Sequence, residues 1–131
     1  MEKFIILSLI SIVSIILLEY FEIIYLKVPP DEPIELRIKQ KNKISQNCII
    51  KPNTEQFKKL SKLLKSKIFG WHKEFSSIYG QIDVSNSNFY VFFSGNQMVT
   101  DKDGQYSYPI DIEDYSFLNC TEQPNKTLEE K

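Results

Sequence analysis

Between Gln81 and Ile110, short apolar segments alternate with turn residues so closely that the chain must fold back on itself as a β meander. Gln81 to Ser85 alternates around Ile82 and Val84, and Asn86-Ser87-Asn88 is a turn. Phe89 to Phe93 is a β-branched and aromatic run suited to an interior strand. Ser94-Gly95-Asn96 turns into Gln97 to Thr100, and Asp101 to Gly104 turns into a last strand from Gln105 to Ile110. Asp111 is placed to cap a short helix in which Ile112, Tyr115 and Leu118 share a face.

Two more strands precede the meander. Ile34 to Lys39 alternates apolar and charged residues strictly, and Ile44 to Ile50, which contains Cys48, follows after a polar turn. Between these strands and the meander lies a basic helix. Phe57, Leu60, Leu64 and Ile68, with Leu63 beside them, recur at helical spacing and predict a helix over Thr54 to Phe69. Asn53 and Gln56 fit a capping box, with Thr54 an alternative cap, and Gly70 suits the left-handed conformation that ends many helices. Trp71, Phe75, Ile78 and Tyr79 read as core residues after the helix. The expected fold class is α+β, one main amphipathic helix packed on a mostly antiparallel sheet of five or six strands, preceded by a single N-terminal transmembrane helix.

That last element is read from Phe4 to Leu18, an uncharged run of apolar residues and serines after Met1-Glu2-Lys3. Alone it covers roughly 22 Å, short of a hydrocarbon core of about 30 Å. Extension to Leu26 supplies the length and brings in Glu19 and Glu22. A cleaved signal peptide is the alternative, but Leu17 to Pro30 has no Ala, Gly or Ser at which cleavage would occur. The reading is therefore a transmembrane anchor over 1–26, a Pro-rich tether over 27–33, a domain over 34–120 and a loose polar tail over 121–131. Lys3 before the apolar run and Asp31, Glu32 and Glu35 beyond it put the domain on the extracytoplasmic face, with the membrane as a partner through the N-terminal helix.

Cys48 and Cys120 are the only cysteines. In an oxidising compartment an even number predicts a disulfide, which would tie the start of the domain to its end. One histidine, His72, and two distant cysteines make no zinc set, and no metal site or cofactor is expected. Ser76 and Ser77 near His72 lack a nucleophile-elbow pattern, and four glycines leave no phosphate loop. No catalytic residue is assigned and no enzyme is expected.

The charge is divided along the chain. Leu36 to Lys73 holds eleven basic residues against Glu55 alone, whereas Glu74 to Lys131 holds ten acidic residues against Lys102, Lys126 and Lys131. Lys58, Lys59, Lys62 and Lys65 on the helix, with Trp71 beyond it, are the candidate binding residues for an anionic partner. A plain solvated face is the other reading of such a run. The acidic second half argues against nucleic acid. What remains is a binding protein with a protein partner, for which an immunity or inhibitor protein against an envelope-acting toxin or hydrolase suits the size and the paired cysteines. A small accessory subunit of a membrane complex is the alternative.

Overall fold

The computed structural model describes residues 1–121, and of residues 18–21 only the backbone. Eight strands form one sheet: β1 (Phe21–Ile23), β2 (Ile34–Gln40), β3 (Lys43–Ile50), β4 (Phe69–Lys73), β5 (Ile82–Ser85), β6 (Tyr90–Ser94), β7 (Gln97–Asp101) and β8 (Gln105–Pro109). Their spatial order is β1-β4-β8-β7-β6-β5-β2-β3, and every neighbouring pair is antiparallel. The helices are α1 (Glu2–Tyr20), α2 (Glu55–Ser66) and α3 (Ile112–Tyr115). The fold is therefore dominated by its sheet, which corrects the expected architecture of one helix on five or six strands.

The correction comes from β1 and β4. The helix expected to reach Phe69 stops at Ser66, and Phe69 to Lys73 becomes a strand between β1 and β8. Gly70 does not cap a helix: it lies at the bulge where the β1–β4 register shifts between Glu22 and Ile23, at φ +104°. A side chain rarely tolerates that angle, so glycine suits the extra residue of the bulge. Trp71 beside it is fully buried, donates from Nε1 to the Lys67 carbonyl at 2.9 Å, and meets Tyr108 edge to face at 5.5 Å.

The same strands settle the N-terminal segment. Residues 21–23 do not continue α1 but pair with β4, and Ile24, Leu26 and Val28 are buried in the core. The chain that would have lengthened the helix is used by the sheet instead. Among the described residues no helix is long and apolar enough to cross a membrane. The expected transmembrane anchor, the membrane as its partner and the extracytoplasmic placement that rested on it are thus not supported. The apolar side chains of α1 from Phe4 to Leu17 are exposed, while Ser11 and Ser14 donate back to the carbonyls of Leu7 and Ile10.

One face of the sheet carries Leu36, Val84, Val91, Phe93 and Met98, and the core lies between this face and α2, α3 and residues 24–28. Phe57, Leu60 and Leu64 give α2 its buried stripe, and Tyr115 of α3 stacks on Phe93 at 4.7 Å. The opposite face has its own small apolar layer. The link from β4 to β5 must pass β8, β7 and β6, and Gly80 in that link lies directly over Phe92. Phe92 and Val99 are consequently buried. Phe75 and Tyr79, read from the sequence as core, point outward from this crossing segment. Asp83, 4% exposed, forms an ion pair with Lys39 at 2.7 Å on this second face.

Candidate functional site

Thr54 caps α2, its hydroxyl accepting from the Phe57 amide at 3.2 Å. Asn53 sits outside the helix at φ +67°, so the capping box is not formed and Gln56 is released for another task. Its Nε2 donates to the carbonyls of Phe117 and Asn119 at 3.0 and 2.9 Å. The next residue in the chain is Cys48's partner: Cys48 and Cys120 form a disulfide, S–S 2.09 Å, across 72 residues. These ties hold the segment after α3 against the start of α2.

The lysines follow from the helix geometry. At about 100° per residue, Lys58, Lys62 and Lys65 fall within roughly 60° of one another on the outer surface, opposite the buried stripe. Lys59 is rotated from them toward Leu63 and Ser66. Lys58, Lys59, Lys62 and Lys65 are all exposed, and none has an ion-pair partner among the described residues. Lys67, by contrast, lies 5.4 Å from the Tyr108 ring centroid, and Lys39 is taken up by Asp83. Four exposed lysines thus lie within three turns of one helix, while Lys41, Lys43 and Lys51 are exposed elsewhere.

Beside it is a cleft of about 310 Å³ lined by Lys59, Lys62, Leu63, Ser66, Asp114 and Phe117. Its floor is apolar, its α2 rim is cationic, and its α3 rim carries one carboxylate. A larger hollow of about 560 Å³ lies at the β2–β3 turn, where Ile38 and Ile82 join the polar turn residues, the paired Lys39 and the exposed Lys41. The α2 cleft is the better candidate because its lining is mainly apolar and two exposed lysines of one helix border it, whereas the lining of the turn hollow is divided nearly evenly between polar and apolar.

The structure brings Lys59 and Lys62 together with residues the sequence did not single out, namely Ser66, Asp114 and Phe117. Leu63 was the available signal: it stands beside the buried stripe rather than in it, and so lies at the edge of the core. Trp71 is not part of this surface, being buried in β4. His72, also in β4, pairs in register with Ser107 and Phe21. Among the described residues no three or more His, Cys, Asp or Glu side chains are grouped to hold a metal ion. Lys102 donates its amide to the Gly104 carbonyl at 2.9 Å, which makes Asp101 to Gly104 a hairpin turn.

No known protein family, no curated protein and no solved structure matches this chain. The reading of its function therefore rests on the site.

Proposed function

We propose that this chain is a non-catalytic binding protein whose α2 surface engages an acidic region of a protein partner. The observation that carries the reading is the cluster of Lys58, Lys59, Lys62 and Lys65, exposed and without ion pairs among the described residues, beside an apolar cleft. Surface charge of one sign steers an oppositely charged partner and fixes its register, while adjoining apolar surface supplies the affinity that exposed ion pairs lack. A protein suits this surface better than nucleic acid, because the half-buried Leu63 and Phe117 offer a seat for an apolar side chain that a phosphate backbone would not use. Within this class, occlusion of a toxin or hydrolase by an immunity or inhibitor protein fits a small domain closed by a disulfide.

The experiment uses the oxidised full chain as bait against an extract of its own source, in parallel with the variant Lys58→Glu/Lys59→Glu/Lys62→Glu. A partner retained by the native protein and lost from the variant is the expected result. Equal retention by both would refute recognition through α2.

A second reading is favoured by α1, whose apolar side chains are exposed. Such a surface suits an accessory subunit seated in a larger protein complex. It predicts that capture survives the lysine reversals and is lost when Ile6, Ile10 and Leu17 are changed to Gln.

A further inference from the structure

We infer that the cleft between α2 and the segment following α3 is a peptide site, built to take one large apolar side chain flanked by carboxylates. The inference rests on the binding role argued above and names the chemistry of what is bound. At about 310 Å³ the cleft is at the small end of ligand pockets, which span roughly 300 to 1,000 Å³. That volume suits a side chain better than a whole cofactor. Leu63 and Phe117 are half-buried and line it, so an entering apolar group is desolvated on two sides. Lys59 and Lys62 stand on one rim, where carboxylates on either side of the apolar residue would meet them. Asp114 stands on the other and repels those carboxylates, which fixes how the peptide lies; it is also free to accept a peptide N–H.

The cleft is preformed in the oxidised chain. Gln56 holds the carbonyls of Phe117 and Asn119, and the Cys48–Cys120 disulfide fastens the next residue to β3. The Phe117 wall is therefore fixed before binding, so little ordering remains to be done when a peptide arrives. The same ties make the site dependent on the disulfide, since reduction releases the wall while leaving the α2 lysines in place.

The test is fluorescence anisotropy with the oxidised full chain and a dye-labelled hexapeptide, Glu-Glu-Leu-Phe-Glu-Glu. Two controls replace either the central Leu-Phe by Ser-Ser or the four Glu by Gln. Both controls are expected to bind about tenfold more weakly or worse, because each removes one of the two matched features. Ser66→Trp, at an exposed position on the cleft wall, is expected to block the parent peptide without touching the core. Reduction of the disulfide is expected to weaken it too. If the Ser-Ser peptide binds as tightly as the parent, or Ser66→Trp binds unchanged, the cleft is not the site and this inference falls, while recognition by the lysine surface stands. If the Gln peptide binds as tightly as the parent, the charge-based reading falls with it. Failure of the native chain to bind the parent peptide also overturns the inference.

Discussion

Gln56 Nε2 donates to the Phe117 carbonyl oxygen at 3.0 Å although 61 residues separate them, and this bond joins the helix that carries the lysines to the wall of the cleft beside it. A second bond to the Asn119 carbonyl doubles the tie. Gln56→Ala is expected to destabilise the fold by about 1–2 kcal/mol, the usual cost of orphaning part-buried carbonyls. The measurement is the urea midpoint. An unchanged midpoint would mean that the segment after α3 is held by the disulfide alone.

The disulfide closes a loop of similar length covalently. Cys48 and Cys120 are 72 residues apart, and closing a loop of that size removes unfolded-state entropy worth about 4 kcal/mol. Cys48→Ser/Cys120→Ser should therefore lose a large part of the stability of so small a domain. Denaturant unfolding of the oxidised native chain and the double variant gives the difference directly. A loss under about 1 kcal/mol would contradict the chain-entropy account.

Gly80 is where the β4–β5 link lies flat on the sheet. A Cβ there would come within 2.6 Å of Asp83 Oδ1 and 2.7 Å of Phe92 Cβ, so the link would have to lift. Gly80→Ala is expected to cost about 1–3 kcal/mol, as for other overpacked contacts. Gly80→Ala should also speed amide exchange at Gln81, whose N–H donates to the Phe93 carbonyl at 2.9 Å. Unchanged stability and exchange would show that the link is not clamped at this point.

How much of this was legible in the sequence varies with the range of the interaction. The six segments expected as strands between Ile34 and Ile110 are strands, and α2 and α3 lie where their apolar spacing puts them, because each pattern is local. β1 and β4 were missed for the opposite reason. Phe21–Ile23 is only three residues long, and its partner begins 48 residues later. Ile68 also continued the helical spacing of Phe57, Leu60 and Leu64, while the structure ends α2 at Ser66 and leaves Ile68 exposed. Phe75 and Tyr79 misled for a related reason: their exposure follows from a crossover that only the strand order reveals. For the site, the lysines were readable from one helix, whereas the cleft needed Asp114 and Phe117 brought in by the disulfide and Gln56. The expected loose tail over 121–131 lies, beyond Thr121, outside the described residues.

Acid should act on the β5–β6 turn. The Ser87 hydroxyl, the Ser87 amide and the Asn88 side chain donate to Glu32 and hold its carboxyl below the ordinary 4.5, against a smaller opposing effect of desolvation. A carboxylate with a depressed folded value stabilises the fold fully above its unfolded value, and that contribution is lost as pH falls through the lower folded one. Glu32→Gln should therefore lower the melting temperature near neutrality, and the gap from the native chain should close as pH drops below 4.5. A gap that stays constant through the acid limb would contradict the assignment.

The most direct measurement of the central claim is lysine footprinting by acetylation, read by mass spectrometry, of the chain alone and bound to the partner it captures. The account predicts that Lys58, Lys59 and Lys62 lose reactivity in the complex while Lys41 and Lys43, at the β2–β3 turn, keep theirs. Unchanged labelling of the α2 lysines, with protection elsewhere on the chain, would contradict it.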